Sequence, residues 1–308
     1  MNRPVPVVIG PLGGSGIAEA VAAVPGIDAV SVDNPADMAV AVARASVIVT
    51  FLWSDEWLAD GVRWIQSVSA GTDQFPVDRL RERGVVLTSA QGIHEIQVSE
   101  HAIGLLLAMT RGIAAAGRDQ ADHLWRPRPV AEIQGMTLGV LGLGTIGEGV
   151  ARRGAALGMR VIGTKRHPEG YTGVASKVYP PDETLIVFEQ ADAVVITLPG
   201  GDETRNLVGR AELDALRGGW LVNVGRGSVV DTPALIAAME AGVLAGAALD
   251  VFDAEPLAAS SPLWDLPGVL ITPHLAGLSP RYGERLAEVF ATNLRGYLGE
   301  GEWRNRVV

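Results

Sequence analysis

The chain has 308 residues, a formal net charge of −10 and no cysteine. That length suits two domains of ordinary size; the acidic balance argues against broad binding to nucleic-acid phosphates; and the missing thiols exclude disulfides and thiolate metal sites and suit a cytoplasmic setting. Hydrophobic residues make up 48% but fall in short runs broken by Gly and Pro, so no membrane helix is expected, and the opening residues Met1 to Gly10 are too short a run for a secretory signal and read as a first strand.

Strand-like and helix-like runs then alternate. Val5–Ile9 reads as a strand and Gly16–Val24 as a helix; Ala29–Val32 with Pro35–Ala45 and Val47–Leu52 with Asp55–Asp60 repeat the pair, and Trp64–Val68 and Val85–Thr88 are further strands. Such alternation predicts a parallel α/β sheet, and this first unit closes near Ser89. From Glu95 to Met109, apolar residues at Ile96, Val98, Ala102, Ile103, Leu106 and Leu107 predict a long helix leading into the next domain. Residues 117–129 are mostly polar, with Trp125 and two prolines, and predict a second helix ending before Pro127.

The next stretch organises the chain. Thr137 to Leu141 is a short apolar run, Gly142-x-Gly144-x-x-Gly147 follows at once, and Val150, Ala151, Gly154, Ala155 and Leu157 recur at helical spacing. Strand, glycine turn and helix in this order form a dinucleotide fingerprint: Gly142 makes the turn, Gly144 lets a pyrophosphate approach, and Gly147 lets the helix pack closely. The pyrophosphate is expected at the helix N-terminus, on free N–H groups. A second strand, Met159–Gly163, arrives after a helix of the right length, and strands follow at Ala193–Leu198, Trp220–Val224, Gly246–Val251 and Val269–Thr272, with a final helix over Arg281–Leu298.

Two such domains leave a cleft, and open parallel sheets bind ligands beyond the carboxyl ends of their strands. Chemistry-bearing residues stand at such ends: Arg226 after Trp220–Val224, Asp250 at the end of the next strand with Glu255 after it, and His274 after the one following. A guanidinium can hold a 2-oxo acid's carboxylate and polarise its carbonyl. A histidine with a carboxylate on its other nitrogen is an acid–base pair of fixed tautomer.

On the motifs Gly142-Leu-Gly-Thr-Ile-Gly147, Asn223-Val-Gly-Arg-Gly-Ser-Val-Val-Asp231, Ala248-Leu-Asp-Val-Phe-Asp-Ala-Glu-Pro256 and Thr272-Pro-His274, the sequence resembles the D-isomer-specific 2-hydroxyacid dehydrogenase family over nearly its whole length. The resemblance implies two doubly wound parallel-sheet domains. A Rossmann dinucleotide-binding domain (98–275) is inserted into a flavodoxin-like substrate domain (1–97 and 276–308). It implies Arg226 as substrate ligand, Glu255 as the group that orients the histidine, and His274 as acid–base. It makes Ser69 to Asp73 the substrate-carboxylate loop, with the N–H groups of Ala70, Gly71 and Thr72 gripping the anion. Gly142, Gly144, Thr145, Ile146, Gly147, Thr164, Lys165, Arg166, Leu198, Pro199, Thr204, Val224, Gly225, Asp250, His274 and Gly277 are the expected cofactor contacts, and no metal is expected. The linking helices imply a homodimer through 95–125.

Departures from the family pattern also inform. Leu198-Pro-Gly-Gly201 replaces the usual Pro-Leu-Thr-Pro; Glu255 stands where formate dehydrogenase relatives carry glutamine; and with the sequence running to Val308, an appended regulatory domain of the phosphoglycerate dehydrogenase kind is not expected. Phe51 and Trp57 read as core, whereas Trp53 matches a substrate-side tryptophan of glyoxylate/hydroxypyruvate reductases. The expected activity is therefore reduction of a small 2-oxo acid of that type by a nicotinamide dinucleotide. An NAD-specific unit carries an acidic residue roughly 20 residues past the glycines; here Thr164-Lys165-Arg166 stand there and no carboxylate follows before Glu169, so NADP(H) is expected to be preferred, with NAD(H) as the alternative. The alternative function is a dinucleotide-sensing interaction protein, because the C-terminal-binding corepressors resemble this family; the full Arg/Glu/His set favours the enzyme.

Overall fold

In the computed structural model, which describes residues 3–12 and 16–308, the alternation of the sequence becomes two separate parallel sheets. The chain divides into two units, Met1–His94 with Leu278–Val308, and Glu95–Gly277. The first contains β1 (Val5–Ile9), α1 (Ile17–Ala22), β2 (Ile27–Ser31), α2 (Pro35–Ala41), β3 (Val47–Thr50), β4 (Trp64–Ser67), α3 (Val77–Glu82) and β5 (Val86–Thr88). Its strands lie in the order β2-β1-β3-β4-β5, the flavodoxin-like arrangement, all parallel. Residues of β1 and β3 alternate between two cores. Val7, Ile9, Val47 and Val49 face one and Val8 and Ile48 the other, which is why these strands read as continuous apolar runs. Met1 and Asn2 of the predicted opening strand lie outside the described residues.

The second unit contains α4 (Glu95–Thr110), α5 (Ile113–Ala121), β6 (Thr137–Leu141), α6 (Thr145–Ala156), β7 (Arg160–Thr164), β8 (Lys177–Tyr179), α7 (Thr184–Gln190), β9 (Ala193–Ile196), α8 (Arg210–Ala215), β10 (Trp220–Asn223), α9 (Thr232–Glu240), β11 (Gly246–Leu249) and β12 (Val269–Ile271). The order β12-β11-β10-β9-β6-β7-β8 is the doubly wound Rossmann arrangement, reversing direction between β6 and β9. Helices cover both faces. Leu221, Ala247 and Leu249 pack with Phe188 and Leu235 on one side, and Val140, Val195, Val222 and Ala248 pack with Leu106 and Val150 on the other. The final helix, α10 (Tyr282–Tyr297), belongs to the first unit, where Phe290 stacks on Trp64 with ring centroids 4.9 Å apart.

Several predicted elements shift. The run 117–129 is not a helix to Pro127: α5 starts at Ile113, after Gly112 in the left-handed region (φ 67°), and ends at Ala121, and 124–130 is irregular and exposed. Pro127 and Pro129 lack the donors that a helix needs. Asp55–Asp60 supplies only a short 3-10 turn, Asp55–Trp57. Strand β8 and helix α3 were not foreseen; three- and six-residue elements are too short to show a period.

Candidate active site

Strand β6 ends in a turn that is glycine by necessity. Gly142 has φ 95°, and a Cβ on Gly147 would lie 2.1 Å from the Gly142 carbonyl oxygen, so only glycine lets α6 start this close to the turn. Gly144 and Thr145 are exposed at the start of α6, and a Cβ on Gly144 would meet nothing within 4 Å. An exposed N-terminus of a 12-residue helix behind an open glycine fits a dinucleotide pyrophosphate, which needs free N–H donors and close backbone approach. Ile146 is half-buried behind it. The Thr164 hydroxyl accepts from Gly142 N (3.1 Å), and Lys165 Nζ donates to the Leu143 carbonyl (2.5 Å), so the end of β7 braces the glycine turn. Arg166 is exposed, 3.3 Å from Glu203.

The loops after β9 and β10 adjoin this turn. Leu198 packs against Gly142, and its backbone leaves no space for a side chain at Gly225, where a Cβ would fall 2.5 Å from the Leu198 carbonyl oxygen. Thr204 Oγ1 donates to the carbonyl of Pro199 (2.8 Å), closing that loop. Val224 is buried, and buried Asn223 shapes the turn that carries Arg226: its Oδ1 accepts from Gly225 N and its Nδ2 donates to Arg226 O, both at 3.0 Å. The exposed Arg226 donates to the Gly225 carbonyl (2.8 Å).

The β10 and β11 loops interlock at Gly227, where a Cβ would overlap the Phe252 carbonyl carbon at 1.8 Å. From there the contacts run to the histidine. Phe252 N donates to Glu255 Oε1 (2.9 Å), and Glu255 Oε2 lies 2.7 Å from His274 Nδ1. A carboxylate only accepts, so Nδ1 carries the proton, and Nε2 is the ring nitrogen that Glu255 leaves unengaged. The His274 side chain is 52% exposed. Its backbone is left-handed, φ 53°, a conformation that costs about 1 to 3 kcal/mol in a non-glycine residue and must be held by its surroundings.

Asp250 does the holding. Its carbonyl accepts from His274 N (3.0 Å), its Oδ1 from the Thr272 hydroxyl (2.6 Å) and Leu275 N (2.9 Å), and its Oδ2 from Ala276 N (3.0 Å). Burial pushes this carboxyl's pKa up, but the hydrogen bonds from His101, Thr272, Ala276 and Leu275 outweigh it and hold it at about 2. Sequence alone assigned Asp250 to the cofactor without this structural role, carried Asn223 and Thr272 only as motif positions with no role of their own, and passed over His101. The available signal was a polar residue ending each of two otherwise apolar strands. Gly277, another expected cofactor contact, accepts from Gln97 Nε2 (3.4 Å) through its carbonyl.

In the first unit, Ser69–Thr72 forms a turn after β4. Its Ser69 hydroxyl donates to Gly71 O (2.6 Å), the Ser69 carbonyl accepts from Ala90 N (2.9 Å), and the Thr72 carbonyl accepts from Phe75 N (3.0 Å). Ala70 is exposed, and Gly71 and Thr72 are half-buried. The half-buried Trp53 ring lies 5.8 Å from Phe75, and its Nε1 donates to Asp55 (3.0 Å); that bond, with Arg79 beside it, holds the Asp55 carboxyl below its ordinary range. Trp57 is core as expected, but Phe51 is 52% exposed because β3 ends before it, at Thr50.

A cavity of about 550 Å³ lies at the other end of the second sheet, where Trp220, Gly246 and Val269 begin β10, β11 and β12, next to Met109 and Ala115. It is remote from the strand ends that carry Arg226 and His274. Among the described residues no cluster of metal-ligating side chains occurs, and no helix is long and apolar enough to cross a membrane.

Comparison with known proteins bears on the family and the fold. The family described as "D-isomer specific 2-hydroxyacid dehydrogenase, NAD binding domain" matches residues 103–276. A glyoxylate reductase of Thermofilum pendens is 34% identical over 245 residues, covering 77% of this chain and 72% of that protein. An (S)-sulfolactate dehydrogenase of Chromohalobacter salexigens is 32% identical, covering 77% and 78%. Among solved structures, an NADPH-dependent glyoxylate/hydroxypyruvate reductase from Sinorhizobium meliloti, in complex with NADP and malonate, superposes with a TM-score of 0.78 at 28% identity, covering 100% of this chain and 97% of that one.

Proposed function

Because the chain belongs to the D-isomer specific 2-hydroxyacid dehydrogenase family, we propose that it reduces a small 2-oxo acid of the glyoxylate or hydroxypyruvate type to the 2-hydroxy acid, with His274 as proton donor. It is an oxidoreductase of the 2-hydroxyacid dehydrogenase type with a dinucleotide-binding Rossmann unit. The observation that carries the proposal is the Glu255–His274 pair at 2.7 Å, standing in the same sheet as the glycine turn and one loop from Arg226.

Gly142, Gly144 and the first turn of α6 would hold the dinucleotide, which when bound supplies the hydride. His274, protonated on both nitrogens, donates the Nε2 proton to the substrate oxygen, while Glu255 keeps the ring oriented through Nδ1. Arg226 holds the carboxylate and draws charge from the adjacent carbonyl. In the first unit, the N–H groups of Ala70, Gly71 and Thr72 are proposed to bind an anion, and Trp53 to contact the substrate side chain. The test is the absorbance of the reduced nicotinamide with a panel of 2-oxo acids. No turnover on any of them would overturn the proposal.

A preference for NADPH is part of the proposal. It is supported by Thr164-Lys165-Arg166 at the end of β7, where no carboxylate meets a 2′-phosphate. Comparing kcat/KM for NADPH and NADH decides it, and equality or a preference for NADH refutes it. We also propose a cytoplasmic homodimer through 95–125. In support, Trp125 is 95% exposed and α5 buries none of its residues within the chain. Light scattering on wild type and Trp125→Ser tests the dimer; a monomeric wild type refutes it.

A further inference from the structure

Helix α4 pins the His274 turn at two points. Gln97 and His101, four residues apart on one helix face, reach Gly277 O (3.4 Å) and Thr272 Oγ1 (3.0 Å), the two ends of the turn. His101 Nε2 is also 3.3 Å from Asp250 Oδ1. The proton positions follow from the partners. The Asp250 carboxylate only accepts, and the Thr272 proton is directed to Asp250 at 2.6 Å, so neither can donate to His101 and its Nε2 must carry the proton. The bonds run in one direction: His101 Nε2–H to Thr272, Thr272 O–H to Asp250, and Asp250 accepting the Leu275 and Ala276 N–H groups on the far side of His274.

We propose that His101 is a positioning residue for the reaction: through the Thr272 hydroxyl, and through its own approach to Asp250 Oδ1, it fixes the Asp250 carboxylate against the Leu275 and Ala276 amides, and so holds His274 in its left-handed conformation with Nε2 presented. The kinetic consequence rests on the reading of His274 as proton donor; the structural consequence does not. Without the imidazole donor, the Thr272 hydroxyl can turn away, Asp250 loses its partner on that side, and the turn relaxes towards ordinary backbone angles. The Nε2 of His274 then spends less time in line with the substrate oxygen, which lowers kcat more than it changes ground-state binding.

The test uses the full chain with His101→Leu, His101→Gln, Thr272→Val and the double variant His101→Leu/Thr272→Val. Glutamine places an N–H donor where the imidazole Nε2 was; leucine fills the space without a donor. His101→Leu is expected to lower kcat about 10- to 100-fold with KM and dinucleotide affinity within about twofold, and to speed amide hydrogen exchange at Leu275 and Ala276 by about tenfold or more. His101→Gln should restore most of both. Thr272→Val should change both in the same direction as His101→Leu, and the double variant should lose less than the product of the two single losses, because both changes act on the same Asp250 carboxylate. Unchanged exchange at the two amides in His101→Leu, a glutamine variant as impaired as leucine, or multiplying losses in the double variant each overturn the proposal. If His101→Leu does not fold, as judged by lost dinucleotide binding, the glutamine and Thr272→Val variants decide alone: wild-type exchange in Thr272→Val then overturns it. If wild type reduces no 2-oxo acid, the proposed activity fails while the exchange measurements still decide the role of His101.

Discussion

Replacing Asp250 with asparagine tests the structure at its most connected polar group. The side chain is 1% exposed, so solvent screens its interactions little, and its hydrogen bonds hold its pKa at about 2 against an ordinary 3.8. At about 1.4 kcal/mol per unit, that gap stabilises the folded state by about 2 kcal/mol at neutral pH. The sign follows from the direction of the shift. The folded pKa is depressed, so the unfolded chain binds the proton first as pH falls; the stabilisation is complete above about pH 5 and is lost as pH drops towards the folded value. About 1 kcal/mol of it is gone by pH 3. Asparagine does not titrate and turns only one oxygen towards donors that now meet two, so its deficit has no such pH dependence. Urea unfolding followed by circular dichroism at pH 7 and pH 3 is the assay. Wild type should exceed Asp250→Asn by about 2 kcal/mol or more at pH 7, and the difference should narrow by about 1 kcal/mol at pH 3. A difference that is constant over this range, or that widens in acid, refutes the account of Asp250.

His274→Asn is expected to lower kcat by about 100-fold or more while dinucleotide affinity, measured by fluorescence titration, stays within about twofold, since proton transfer is lost and the glycine turn is untouched; wild-type kcat would remove His274 from the mechanism. Arg226→Ala should raise KM and lower kcat together, and Arg226→Lys should recover only part, because a point charge cannot make the two-pronged contact; a fully active lysine variant contradicts that contact. Gly147→Ala puts a Cβ 2.1 Å from the Gly142 carbonyl oxygen, so it should destabilise the protein by about 1 to 3 kcal/mol and weaken dinucleotide binding about tenfold, read by thermal melts and titration; normal binding would show that the turn does not need this packing. The double change Lys165→Ala with Arg166→Ala should weaken NADPH binding without weakening NADH binding, and equal loss for both refutes a 2′-phosphate role.

Much of this protein is legible in local sequence because the features are local. A buried parallel strand must be an apolar run, so β1, β3, β6, β9 and β10 stand out. The glycine spacing at 142–147 is set by a steric contact between a turn and the helix that follows it, and the motifs around Arg226, Glu255 and His274 are short. What the linear chain does not display is the company that these residues keep. His101 is an ordinary polar residue in a helix until tertiary packing sets it 3.0 Å from Thr272, 171 residues away. Asp250 looks like one more strand-end carboxylate until folding surrounds it with N–H and O–H donors that outweigh its burial. Phe51 has the side chain of a core residue but lies past the end of β3, so it stays half exposed, and α5 begins and ends where Gly112 and the later prolines allow. Backbone sterics and apolar periodicity act between neighbours in the chain and can be read from it. Hydrogen-bond networks between distant strands and helices exist only once the second unit has folded, and within it such a network surrounds the His274 turn.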